Sequence, residues 1–352
     1  MATNITPANN SVANSVTVPA TGSYLCDLGN GNDSFYDAFQ SQVSVLGGTG
    51  NDTVWLSASG GVSGVIYGNQ GNDSVDLIHA SQAAVYGGQG SDTITSTSGA
   101  NQLIFGNQGN DFLEVVKGSA SVYGGQGNDI VDAVTASGVI YGNKGNDLIN
   151  DIHSSAWVYG GQGDDTVGGS HDSGAIYGNL GNDVFDLVSS SATLYGGQGK
   201  DSISAVGGAN IVYGNLGDDS IFIGNHAHAT AYGGQGNDHL VVSDSSVAKL
   251  TGGIGNDSFQ LNFSGDNTKG FQLAGHTEIT DLSTADTLVL HGGPDATHAD
   301  GFATFSNTGA NLVITLKSSG STTGTLTLDG LGGHGYASFE NLATAGYHLS
   351  FS

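Results

Sequence analysis

Between Gly47 and Asp257 the chain writes one glycine-rich hexapeptide ending in aspartate twelve times. Typical copies read Gly124-Gly125-Gln126-Gly127-Asn128-Asp129 and Gly142-Asn143-Lys144-Gly145-Asn146-Asp147, and an imperfect copy, Leu28-Gly29-Asn30-Gly31-Asn32-Asp33, precedes them. The closing aspartates are Asp33, Asp52, Asp73, Asp92, Asp111, Asp129, Asp147, Asp165, Asp183, Asp201, Asp219, Asp238 and Asp257, spaced 18 or 19 residues apart with one step of 21. A period of this length, repeated this often, predicts a stack of coils in which each coil is one supersecondary unit.

The parity of the apolar positions gives the shape of a coil. Val131 and Ile140 lie nine residues apart, as do Ile149 and Val158, Val167 and Ile176, and Ile203 and Val212. An odd separation on one extended strand would point the two side chains to opposite faces. Both can face one core only across a corner, and the Ser/Gly/Ala-rich middle of each unit supplies it. Each unit therefore reads as strand, plain turn, strand and glycine loop. The aliphatic residues flanking the loop are also nine apart, from Val45 to Val54 and from Leu250 to Phe259, whereas Val54 to Ile66 stretches to twelve across the plain turn. The loop side has fixed geometry and the turn side does not, which is the behaviour expected of a loop that holds an ion. The predicted fold is all-β: a right-handed parallel β-helix or β-roll of ~18-residue coils. Strands stacked ~4.8 Å apart would give a rod on the order of 55–60 Å long.

Composition agrees with a thin core and bound cations. Six lysines and no arginine oppose 32 acidic residues, a formal charge of -26, so nucleic acid is an improbable partner by charge. Apolar residues make up 37% and 60 residues are glycine, too little apolar mass for an ordinary globular core of this length. In the loops, glycine at positions one, two and four permits positive φ and close backbone approach, and Asn at position two tolerates the left-handed region. The position-one glycines are Gly47, Gly68, Gly87, Gly106, Gly124, Gly142, Gly160, Gly178, Gly196, Gly214, Gly233 and Gly252. Turns of this kind aim backbone carbonyls inward and the aspartate adds carboxylate oxygen. That donor set selects calcium rather than zinc or copper, which would call for His and Cys. The candidate metal residues are these thirteen aspartates and twelve glycines.

At these residues the chain resembles the repeat-in-toxin (RTX) family, whose nonapeptide GGxGxDxUx forms a calcium-binding β-roll. Gly233-Gly234-Gln235-Gly236-Asn237-Asp238-His239-Leu240-Val241 matches it at every fixed position. Typical rolls carry the loop every nine residues. Here the second nonapeptide, such as Ala133 to Tyr141, keeps its aliphatic residue and lacks the loop, so the resemblance implies a single calcium row on one edge, roughly a dozen ions. That arrangement is similar to one-loop-per-coil RTX domains of some bacterial adhesins and ice-binding modules. It further implies a chain largely unfolded at cytosolic calcium that folds in external calcium.

Other patterns have structural readings. Tyr67, Tyr86, Phe105, Tyr123, Tyr141, Tyr159, Tyr177, Tyr195, Tyr213 and Tyr232 each precede a loop and are expected to point outward and stack. Loops alternate Gly-Gly and Gly-Asn from Gly47 through Gly234, the mark of a duplicated two-coil unit or of a partner that reads every second coil. Cys26 is alone and is expected to be a small buried residue. Ser170-His171-Asp172 has triad residue types, but chain neighbours cannot converge as a triad does, and no enzymatic activity is expected.

Three segments are expected: an N-terminal arm or cap over 1–23, the β-roll over 24–261, and a β-rich C-terminal cap over 262–352. The C-terminal segment resembles RTX C-terminal regions at Ile279-Thr280-Asp281-Leu282 and Asp286-Thr287-Leu288. Tyr347-His348-Leu349-Ser350-Phe351-Ser352 is similar to type I secretion signals, which implies a bacterial type I exporter as partner. The start, Met1-Ala2-Thr3-Asn4-Ile5, lacks the character of a secretory signal peptide, and no apolar run reaches membrane-spanning length. The expected function is a secreted, extracellular calcium-binding structural protein at the cell surface or in matrix. It would self-assemble as a homo-oligomer, S-layer, sheet or filament subunit. An ice-binding or adhesive β-roll module is the alternative.

Overall fold

The computed structural model describes residues 2–5, 13–39, 42–57, 63–133, 136–150, 156–170, 174–188, 191–243, 246–266, 270–272, 275–292, 303–318 and 321–351. The chain divides into two compact units, Met1–Ile176 and Tyr177–Ser352, both built on the same coil. It is a parallel β-solenoid.

In the first unit one sheet holds the strands that lead into the loops, from Ser23–Asp27 and Gln42–Thr49 to Ala136–Lys144 and Trp157–Gln162. The other holds the strands that leave them, from Ser34–Asp37 and Thr53–Ser57 to Leu148–Asn150 and Thr166–Gly169. The pairs are parallel, and their core positions align: Ile104 lies beside Val85 and Val122, and Val131 beside Leu113 and Ile149. Val131 and Ile140 are both buried, on strands of opposite sheets, as the odd separation requires. The stretched segment between Val54 and Ile66 spans residues 58–62, which lie outside the described residues.

Each coil contributes few apolar side chains. Among the described residues of the coil around Asp129 the buried ones are Val131, Ala133 and Ile140. At ~1.5–3 kcal/mol for a buried aliphatic, that is far below the conformational entropy of eighteen ordered residues, so a coil stands only on its neighbours. Cys26 is a free, buried member of this core beside Val45, and burial pushes its thiol up to about 11. Toward the N-terminus, Thr3–Ile5 pairs with Ser23–Asp27 and Ser15–Thr17 with Ser34–Asp37, both parallel.

The second unit repeats the pattern from Val184–Val188 and Ala192–Gln198 onward. Parallel stacking does not stop where the hexapeptides do. His276–Ile279 pairs with Val247–Ile254, and Thr287–His291 with Ser258–Asn262. Ser321–Leu328 and His348–Phe351 then stack on those in turn. Ala303–Thr308, Asn311–Ser318 and Ser321–Leu328 form an antiparallel meander. A short helix, Phe339–Thr344, capped by the Ser338 side chain on the Asn341 amide, brings Phe339 edge-on to Phe305 and Phe351.

No described helix is long and apolar enough to cross a membrane.

Candidate metal column

The loop backbone follows the glycines. At position two, φ is positive whether the residue is Gly88 (119°) or Gly125 (126°), or Asn69 (75°) or Asn107 (79°). At position four it is positive at every glycine from Gly50 (115°) to Gly255 (154°). Position one is different: those twelve glycines have no left-handed φ and are buried. A Cβ on Gly68 would collide with the Asp73 carboxylate and the carbonyl oxygen of Gly87, and one on Gly124 with the Asp129 carboxylate and the Gly142 carbonyl. Glycine at position one leaves room for a carboxylate oxygen and a main-chain carbonyl from the next coil to share one small space.

All thirteen loop aspartates are buried, Asp33 to Asp257. They form columns in which the backbone N–H of each donates to Oδ1 of the aspartate one coil on. In the first unit these bonds run from Asp33 to Asp52 (2.8 Å), through Asp92 to Asp111 (2.8 Å), to Asp147 and Asp165 (2.8 Å). In the second they run from Asp183 to Asp201 (2.8 Å) through Asp238 to Asp257 (2.9 Å). The other oxygen is treated differently. Oδ2 of Asp33, Asp52, Asp73, Asp92, Asp111, Asp129, Asp147, Asp201, Asp219 and Asp238 is buried without a hydrogen-bond partner. A buried carboxylate oxygen left in that state is expensive. Burial accordingly pushes Asp52, Asp111, Asp147, Asp201 and Asp219 up to about 6 and Asp92 and Asp238 up to about 7. The donated amide pulls each back, and neighbouring carboxylates push the same way as burial.

Three contributors to these columns stand outside the hexapeptides. Asn14 donates from both backbone and side chain to Oδ1 of Asp33. Asp286 accepts the Asp257 amide (2.8 Å), and Asp281 accepts the amides of Gly252 (2.9 Å) and Gly253 (2.8 Å). The spacing could have found two of them: Asn14 stands two residues before buried Val16, and Asp286 two before buried Leu288, as Asp257 does before Phe259. The exposed Asn at position five forms a second ladder of opposite sense. Its Oδ1 accepts the amide of the next coil, from Asn51 to Asn72 (2.9 Å) and from Asn128 to Asn146 (2.8 Å).

Among the described residues no three His, Cys, Asp or Glu side chains converge as a metal cluster would. The donors present are one buried carboxylate oxygen per loop and the carbonyl beside it, a hard-oxygen set with no nitrogen or sulfur. Of Ser170-His171-Asp172, His171 and Asp172 lie outside the described residues.

The family model for the RTX calcium-binding nonapeptide repeat (4 copies) matches residues 86–115, 105–134 and 191–224. The chain carries RTX calcium-binding repeats. No curated protein matches it. Among solved structures, the X-ray crystal structure of a hyperactive, Ca2+-dependent, beta-helical antifreeze protein from an Antarctic bacterium is similar, at 20% identity and a TM-score of 0.46 over 73% of this chain and 86% of that one. In the RTX coils the aromatic residues before the loops stack as expected. Tyr67, Tyr86, Phe105, Tyr123, Tyr141 and Tyr159 have successive ring centroids 4.7–5.0 Å apart in the first unit, as do Tyr177, Tyr195, Tyr213 and Tyr232 in the second.

Proposed function

We propose that this is an exported structural protein that folds on meeting external calcium and then self-assembles at a cell surface or in matrix. The column of buried aspartates with unpartnered Oδ2 oxygens carries this reading. The aspartate Oδ2 and the position-one carbonyl of the following coil would hold the ion, as at Asp73 with Gly87 and Asp129 with Gly142. Bound calcium supplies the positive charge that keeps a stack of carboxylates ionised inside the fold. About a dozen ions in one row would nearly offset the formal -26. Because the ligands come from successive coils, calcium and folding are one equilibrium. A chain unfolded at low calcium suits passage through a type I exporter, with the C-terminal residues as its signal.

Ice binding is not favoured. Exposed loop position three runs through Gln70, Gln89, Gln108 and Gln126 and is then broken by Lys144, Leu180, Leu216 and Ile254, the last 72% exposed. Circular dichroism in EGTA, followed by calcium addition, tests the folding step: the β signal should be weak and then rise. A full β signal in EGTA would sink the proposal. Electron microscopy with and without calcium tests assembly, with ordered sheets or filaments expected only with the ion.

A further inference from the structure

Acidic residues are unevenly placed on the first unit. Seven of the eight strands leading into its loops, from Gln42–Thr49 to Trp157–Gln162, contain no Asp or Glu and one charged residue, Lys144; the eighth, Ser23–Asp27 at the edge of the set, ends in an exposed Asp27. The opposite sheet carries Asp76, Glu114 and Asp132. In a chain of net charge -26, two copies meeting through that second sheet would set carboxylates against carboxylates. The acid-free face has no such barrier. It also presents the stacked ring edges and an exposed Leu103.

The relief of this face repeats every two coils. Position two carries a side chain at Asn69, Asn107 and Asn143 and none at Gly88 and Gly125. Over Gly125 this leaves a recess of about 410 Å³ between Asn107 and Asn143, walled by Phe105 and Tyr123. Over Gly88 the equivalent recess is about 430 Å³, between Asn69 and Asn107 and walled by Tyr67 and Tyr86. Knobs and recesses therefore alternate at one strand spacing. Suppose a second copy is turned about a two-fold axis lying in the plane of the face, parallel to its strands and midway between an Asn coil and a Gly coil, so that its coils run the other way. Every Asn of either copy then faces a Gly of the other. Six spacings of ~4.8 Å by about seven residues of ~3.3 Å give on the order of 650 Å² per copy, and about 1,300 Å² in all lies within the range of stable specific interfaces.

We propose that this face is where two copies of the chain meet, as an isologous zipper of Asn knobs in Gly recesses. The inference rests on the self-assembly reading above and names its surface. The test is the mass of the calcium-loaded full chain by light scattering, with circular dichroism to verify folding. Wild type should be dimeric or a multiple of it. Leu103→Glu with Gln126→Glu should give a folded monomer, while Thr93→Glu with Ile130→Glu, on the opposite sheet, should keep the wild-type mass. Asn107→Gly with Asn143→Gly, which removes knobs at positions where glycine adopts the same φ sign, should weaken the dimer at least tenfold. If wild type assembles and the Leu103/Gln126 variant assembles equally, the face is wrong and the self-assembly reading survives. An unchanged mass for the Asn107/Asn143 variant overturns the zipper. A monomeric wild type ends both, and monomer retained on neutral polysaccharide beads would mean that the face docks glycan instead.

Discussion

The two oxygens of each loop aspartate do different work. Oδ1 is held by the amide of the preceding coil, as in Asp129 accepting from Asp111 at 2.8 Å, and this bond needs no metal. Oδ2 of Asp129 is buried beside Gly124 and meets no donor. Asp129→Asn separates the two roles. Its Oδ1 keeps the Asp111 amide, and its Nδ2 can donate to the Gly142 carbonyl, so the calcium-free fold should gain ~1 kcal/mol from the new bond. The residual β signal in EGTA should rise, while the calcium-induced gain in β signal shrinks. Gly124→Ala acts on the same space by steric means and should lower calcium stoichiometry, read by isothermal titration calorimetry. The carboxyls also set a pH dependence. Asp52 and Asp92 ionise near ~4 in an unfolded chain but at about 6 and about 7 in the calcium-free fold. The fold thus holds more protons than the unfolded chain across that interval. Its stability is complete below about 4 and is lost as pH rises through 6 to 7. In EGTA the β signal should fall between pH 5 and pH 8. With saturating calcium it should rise over the same range, because the ion requires the ionised form.

At the scale of the coil, the rings before the loops do what the sparse aliphatic core cannot do alone. Tyr123 lies between Phe105 at 4.7 Å and Tyr141 at 5.0 Å, nearly parallel to both. Tyr123→Ser removes both contacts, each worth ~0.5–1.5 kcal/mol, and should lower the calcium-loaded melting temperature, whereas Tyr123→Phe should leave it nearly unchanged. The coil was legible in the sequence because in a solenoid the next coil is also the next repeat, so local pattern and tertiary contact coincide. Nine residues from Val131 to Ile140 were enough to place a corner, and the hexapeptide was enough to place a loop. What could not be read was how the side chains divide their bonds. That Asp129 serves the Asp111 amide, or that the Asn128 side chain serves the Asn146 amide, depends on the offset between coils, which no single repeat records. Asn14, Asp281 and Asp286 were missed for a related reason. They complete the pattern with a different residue or an altered spacing where the hexapeptide has not begun or has already ended.

At the scale of the whole chain, the proposed sites should select their ion by geometry as well as by charge. The donors are carboxylate and carbonyl oxygens on a backbone whose coil spacing is fixed by strand pairing, and they cannot contract around a smaller ion. Magnesium demands near-ideal octahedral geometry at shorter distances and gives up water reluctantly, so millimolar magnesium should fail to restore the β signal that millimolar calcium restores. Circular dichroism under both ions checks this, and equal recovery with magnesium would show that the charge alone suffices. The ladder changes partners where the hexapeptides begin and end. In the second unit the Asp281 carboxylate takes the amides of Gly252 and Gly253 together, and in the first unit Asn14 offers Asp33 a neutral amide in place of an aspartate's.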